Sequence, residues 1–196
     1  MVYDKNLGYC GLMSPTFNAP LVLLMQNFFS ISFLIFLGIC FYLYRAKSKY
    51  LLALLPLLAL SSHQFEEYVL SPLLFGDYYH FLNWAYRNGM DISPMEVTLL
   101  NLTPYLLLLP ALVILRARSE KIFGIIFLFN NALTMANASF HIGISTAQNI
   151  FSPGMVSSLF FYIPLFVYAV LLNKDCLLYT SPSPRDLSTS RMPSSA

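Results

Sequence analysis

The stretch Ala53–Leu74, ALLPLLALSSHQFEEYVLSPLL, is greasy enough to lie in a bilayer, yet it carries His63, Glu66 and Glu67 within five consecutive positions. An ionisable side chain at mid-bilayer costs about 2.5–3.5 kcal/mol on insertion scales, so such residues mark candidate functional sites. The apolar frame points to the fold. The three residues set into it point to the site.

The whole composition agrees with that frame: 57% of residues are hydrophobic, 16% aromatic and 10% charged. A soluble globular chain is about 25% charged, so the sequence reads as an integral membrane protein whose expected partners are membrane lipids. The formal charge of +2 is too small to suggest a nucleic-acid partner, and the basic residues gather at the ends of apolar runs. No protein partner is indicated. The three cysteines show no CxxC spacing, and Cys10 and Cys40 fall near opposite ends of the first run, so no disulfide framework is expected.

A helix that crosses a bilayer needs about 20 mainly apolar residues. Five segments qualify or nearly do, over residues 21–44, 50–70, 96–115, 122–143 and 155–173. The expected fold is all-α: a polytopic transmembrane helix bundle of about five spans, forming a single domain over residues 1–175. The first run is too long, and lacks the basic leader, to read as a cleaved signal peptide. Arg45, Lys47 and Lys49 crowd the first short connection, and Arg116, Arg118 and Lys121 crowd the third. The positive-inside rule then sets the N-terminus outside and Lys174 inside, in the cytoplasmic membrane if the protein is bacterial.

The long connection between Ser71 and Pro94 falls on the outer side. Phe75, Tyr78, Tyr79, Phe81, Trp84 and Tyr86 cluster there, and aromatics of this kind favour the headgroup level. Asp77–Asn88 is therefore expected to be an interfacial helix. Ser93, Pro94 and Glu96 form a capping box that starts the next span. There is no internal repeat of the kind that builds many transporters. The last stretch, CLLYTSPSPRDLSTSRMPSSA over residues 176–196, resembles a translated sequencing-library adapter. It is expected to be unstructured and to take no part in the fold.

Residues three and four apart share a helix face. His63 thus sits beside both Glu66 and Glu67, with Ser62 alongside, while Gln64 and Phe65 face elsewhere. The two glutamates stand about 100° apart around the axis, so one can point at a common centre while the other flanks it. In the fourth span Asn130, Thr134, Asn137 and His141 form a row that Ser145 and Gln148 continue. For Asn130 and Thr134 the simpler role is gluing helices, at about 0.6 kcal/mol each.

At about 1.5 Å rise per residue, His63 stands about 20 Å above Tyr50 and Asn137 about 24 Å above Lys121. The first and third spans run the other way, and bring Gln26, Asn27 and Asn101 into the same outer layer. Asn137, Asn101, Gln26 and Asn27 are the expected lining of a pocket there.

HQFEEY, from His63, followed about seventy residues later by NASFHIGISTAQNIFSPGMVSSLFFYIPL, from Asn137, resembles the HXXEE family of small polytopic membrane proteins of uncharacterised function. The first motif matches at His63, Glu66 and Glu67, and the second at Asn137, His141, Pro153 and Gly154. The likeness extends over most of Leu51 to Leu172. It implies the same site and supplies no reaction.

Two histidines with one or two glutamates form a nitrogen and oxygen set suited to zinc, iron or manganese. The leading reading is a metal-dependent membrane enzyme acting on a lipid-like or amphipathic substrate. His63, His141, Glu66 and Glu67 are its candidate ligands, and Glu66 and Glu67 its candidate catalytic bases. Which glutamate binds is open. The alternatives are a proton-coupled transporter or channel, and a non-catalytic protein whose polar layer only fixes helix packing. His80 reads as a surface residue among aromatics, and Ser152–Gly154 as a turn opening the fifth span. No P-loop, nucleotide fingerprint, GxSxG elbow or haem-attachment motif is present.

Overall fold

The computed structural model describes residues 20–178. Cys10, the side chain of Gln26 and residues 179–196 lie outside the described residues. Among those described, the structure is all-α, without a strand. Helix α1 (Pro20–Arg45) leads to α2 (Leu51–Phe65), which continues through a widened segment at Glu66–Leu70 into α3 (Ser71–Phe75). A 3-10 turn (Asp77–Tyr79) and α4 (Phe81–Arg87) follow. Then α5 (Pro94–Thr103) passes through Pro104–Leu108 into α6 (Leu109–Arg118), and α7 spans Glu120–Gln148. Last, α8 (Met155–Ser157) passes through Ser158–Tyr162 into α9 (Ile163–Leu178).

Among the described residues, three rods thus contain a π turn, and a proline follows each, although Pro56 and Pro104 lie within rods with no widened turn before them. Each turn closes with an i→i+5 hydrogen bond, from Ser71 N to Glu66 O, Leu109 N to Pro104 O and Ile163 N to Ser158 O. The residue after each of these donors is a proline: Pro72, Pro110 and Pro164. Proline has no N–H to donate, and its ring crowds the carbonyl four residues back. Widening the preceding turn by one residue relieves that crowding without breaking the rod. Each widened turn also lends a polar group to the interior, in Glu67 and Tyr68, in Tyr105 and in Tyr162, all of them buried.

Among the described residues, four helices are long and apolar enough to cross a membrane: Asn27–Arg45, Pro94–Arg118, Glu120–Gln148 and Met155–Lys174. They fit an integral membrane protein. The rod made by α2 and α3 has the length of a span, but Ser61, Ser62, His63, Gln64, Glu66 and Glu67 dilute its apolar character. All six are buried. The costly residues therefore face protein, while Leu34, Phe41, Leu107, Phe129 and Phe160 face outward. An exterior this apolar suits lipid and not water.

Helix α1 lies along α2, with Phe29, Phe36 and Cys40 packed on Leu54, Leu57 and Tyr68. A second core at the basic end joins Ala53, Leu112, Phe123, Phe127 and Ala169. A third, of Ala59, Ala138 and Tyr162, ties α2 and α7 to the last rod. Small residues at 59 and 138 allow the close approach that the polar layer above them requires.

The capping box at Ser93 is present: its hydroxyl oxygen accepts from Glu96 N at 3.3 Å. Ser119 caps α7 in the same way. That helix runs to Gln148, further than the expected 143, and stops where Asn149 turns left-handed at φ 52°. The last helix continues to Leu178, three residues beyond the boundary expected at Asp175. Asp77–Asn88 is not one interfacial helix but the 3-10 turn followed by seven-residue α4, whose Leu82, Trp84 and Ala85 are buried. Its aromatic side turns inward because the polar layer at this end of the bundle needs a cover. Phe81 lies over His141, with ring centroids 5.9 Å apart.

Candidate functional site

His63 on α2, Glu67 in the widened turn above it and His141 on α7 converge, each almost fully buried. One potential ligand atom from each lies within 4.8 Å of the other two. A single carboxylate oxygen, Glu67 Oε1, stands 3.3 Å from His63 Nε2 and 3.4 Å from His141 Nε2. The two imidazoles meet edge to face, 4.8 Å between centroids. Helical spacing brings His63 and Glu67 together, since four residues make about one turn. The meeting with His141 is made by packing.

Both rings are held from behind by serines of the Ser152–Ser157 segment. His63 Nδ1 lies 2.9 Å from Ser157 Oγ, and His141 Nδ1 lies 2.9 Å from Ser152 Oγ. The Ser157 hydroxyl donates to Gly154 O at 3.1 Å, so its oxygen is left to accept from Nδ1–H. Ser152 does likewise towards Pro153 O, through a longer 3.4 Å contact. This assigns the proton to Nδ1 and an open lone pair to Nε2 on each ring. Asn137 Nδ2 lies 3.0 Å from His63 Nε2 and, with the ring proton on Nδ1, donates to it. Three electron-pair donors therefore face one another across a small space. The cluster could hold a metal ion.

Glu66 does something different. Its Oε1 accepts from Val156 N at 3.0 Å and its Oε2 from Ser157 N at 2.6 Å. These are N–H groups at the start of the last rod, which no carbonyl within that rod can satisfy. A carboxylate there also meets the positive end of the helix dipole. Glu66 thus clamps the last rod onto α2 and sets Ser157 behind His63.

Gly154 completes the packing. At φ +91° it adopts a conformation suited to glycine, and a Cβ there would lie 2.5 Å from His63 Cε1 and 3.0 Å from His141 Cε1. The backbone of the SPG turn is pressed against both rings. Tyr162 closes the inner side, its ring 4.8 Å from that of His63 and its buried hydroxyl beside the Asn137 amide.

Residues 52–169 match the sequence model of a family described as "Protein of unknown function with HXXEE motif". The chain belongs to the HXXEE family. No curated protein and no solved structure matched it. In this HXXEE protein the motif's first and last residues, His63 and Glu67, meet at the cluster, while the middle one, Glu66, secures the helix that supports it.

The other expected site residues are distributed as follows. Asn137 lines the cluster. Asn101 lies behind it in a separate network: its amide donates to the Tyr68 hydroxyl at 3.3 Å and its carbonyl accepts from Gln64 at 3.2 Å. Tyr105 donates to Gln64 Oε1 at 2.6 Å and lies 3.3 Å from Ser32 Oγ. Asn27 is exposed and corrects the expectation that it lines a pocket. The inward stripe of α1 is Phe29, Ser32, Phe36 and Cys40, and Asn27 stands about 160° around the helix from Phe29. Gln64, expected to face elsewhere than the cluster, does so, fully buried in that separate network. His80 is half-buried against Tyr68, 5.3 Å between rings, and outside the cluster. Burial lowers its pKa to about 4 against the pull of Asp77, so it is neutral at pH 7. Ser152 and Ser157 were not expected. Their signal was the density of serines flanking the Pro-Gly turn, opposite a histidine one helix away.

Proposed function

We propose that this protein is a metal-dependent membrane enzyme, its divalent ion bound by His63 Nε2, His141 Nε2 and Glu67 Oε1. The observation that carries the reading is one carboxylate oxygen at 3.3 and 3.4 Å from two imidazole Nε2 atoms, in rings whose Nδ1 atoms are held by serines. Ligands at about 2.0–2.1 Å from a tetrahedral zinc stand about 3.3 Å apart, so both edges already fit. Serine-held Nδ1 atoms are the outer contacts that orient metal-bound histidines. Asn137 is the candidate fourth group, because a half-turn of its amide presents Oδ1 in place of Nδ2. A bound divalent ion supplies Lewis acidity and can bring a water to a pKa near 7. The chain's own residues hold that centre, exclude bulk water and keep both rings in one tautomer.

The substrate is expected to be lipid-like, since the cluster is enclosed within an apolar exterior. Five spans with the N-terminus outside fit the basic connections at Arg45–Lys49 and Arg116–Lys121. Single cysteines placed at Lys47 and Arg118 are expected to react with an impermeant reagent from the same, cytoplasmic side. Reaction from opposite sides would end this topology.

Elemental analysis of detergent-purified protein tests the centre itself. About one zinc, iron or manganese per chain is expected, and His141→Ala is expected to lose most of it while still inserting. The continuous row Ser157–His63–Glu67–His141–Ser152 also suits a proton relay. If wild type carries no stoichiometric metal and takes none up, that second reading replaces the first.

A further inference from the structure

A groove of about 560 Å³ opens between α2 and the last rod, on the side of the His–Glu cluster nearer the basic connections. Its flanks are apolar, with Leu52, Leu55 and Leu58 on one side and Phe161 and Leu165 on the other. Its two ends differ. One is formed by Ser48, Lys49 and Arg116, and the other by Ala59. Lys49 and Ala59 are about 15 Å apart along the helix.

Ala59 is one turn below His63 on the same face and packs on Tyr162, whose ring touches the His63 ring. A chain filling the groove from the basic end therefore terminates beneath Tyr162, one residue's thickness from the cluster. At the other end the Arg116 guanidinium is fixed by Lys49 O and by Glu120 Oε1, both at 3.1 Å. The Lys49 ammonium lies 5.4 Å from the Tyr50 ring centroid. Glu120 offsets Arg116 alone, so with Lys49 the mouth of the apolar lane carries one net positive charge, which matches one anionic head and one chain. A two-chain lipid would leave its second chain outside.

We propose that this groove binds a free long-chain fatty acid, its carboxylate at Lys49 and Arg116 and its chain running under Tyr162. Binding does not depend on the metal reading. Only the role of the chain's far end, as the part presented to the centre, rests on it.

The test uses full-length protein in phosphatidylcholine nanodiscs and a fatty acid with a photoreactive group at its terminal carbon. Saturable labelling of the peptides around Leu58–Ala59 and Phe160–Leu165 is expected, competed by oleic acid. Lys49→Glu is expected to weaken labelling about ten-fold, as an attractive charge beside a low-dielectric lane becomes repulsive. Leu55→Trp, which fills the lane, is expected to abolish it. Labelling should persist in chelator-treated protein and in His141→Ala. Saturable labelling of metal-free protein that binds no metal would therefore sink the metal centre and leave the groove standing. Unsaturable labelling that spreads to outward Leu106 and Leu107 would mean bulk lipid only. Competition by phosphatidylglycerol and not by oleic acid would mean a phospholipid site. Either result overturns the proposal.

Discussion

Gly154→Ala is expected to empty the proposed metal centre and to destabilise the protein by about 2–5 kcal/mol, the sum of two costs. The first is backbone strain, since a residue with a Cβ at φ +91° loses about 1–2 kcal/mol relative to glycine. The second is crowding. The new carbon would lie within 2.5 Å of His63 and 3.0 Å of His141, and overpacking of this kind costs about 1–3 kcal/mol. The rings cannot yield freely, because each is tied to a serine at 2.9 Å. Gly89→Ala is the matching control: φ there is +79°, but nothing lies within 4 Å of the added carbon. It should show the strain alone and keep its metal. Thermal unfolding and metal content of both variants decide the matter. Equal behaviour of the two would show that the turn does not press on the histidines.

Glu67→Gln and Glu66→Gln, one residue apart, should fail in opposite ways. Glu67 Oε1 stands 3.3 and 3.4 Å from the two histidine Nε2 atoms, and replacing this carboxylate, a ligand in the proposed centre, by a weakly donating amide is expected to lower metal affinity more than about 100-fold, beyond the 10–100-fold typical of outer partners. The fold should persist, since no backbone group depends on that side chain. Glu66 satisfies two backbone N–H groups, whereas glutamine has one oxygen and must turn its NH2 towards the other donor. A loss of about 1–3 kcal/mol is expected, with metal still bound. Equilibrium dialysis against zinc, paired with unfolding of the metal-free forms, separates the two. An unstable Glu67→Gln with a metal-poor but stable Glu66→Gln would exchange the assignments.

The helical frame was legible because it rests on a simple period, and the pairing of His63 with His141 because two polar rows stand at one depth, although packing makes the contact itself. Apolar length marks spans, and 3.6 residues per turn puts His63 beside the glutamates and His141 in line with Asn137. The division of labour between Glu66 and Glu67 was not legible. Both fall within one turn of His63, and the choice depends on where the start of α8 presents its N–H groups, a matter of packing between distant segments. Ser152–Gly154 was read as a turn, which it is, but the contacts of Ser152 and Gly154, and of Ser157 just beyond them, run to α2 and α7. Asn27 was misplaced because depth was counted and rotation was not. Ser32, five residues further along α1, is the residue that turns inward and joins the Tyr105–Gln64 network.

The proline-widened turns at Glu66–Leu70, Pro104–Leu108 and Ser158–Tyr162 also bear on how such a sequence can change over evolutionary time. Each holds one residue more than an α-helix of equal height, so each is an insertion that the rod has absorbed. Deleting that residue would restore a plain helix but swing everything beyond it by about 100°, carrying buried polar groups out towards lipid. Losing the proline would have a similar effect, by removing the reason for the extra residue. Lipid-facing positions such as Leu107 and Phe160 can exchange among apolar residues at little cost. The residue counts across these three turns cannot drift. Relatives of this chain are accordingly expected to diverge by substitution on the outside while keeping the proline positions and the spacing in register, and any indels should collect in the connections between rods.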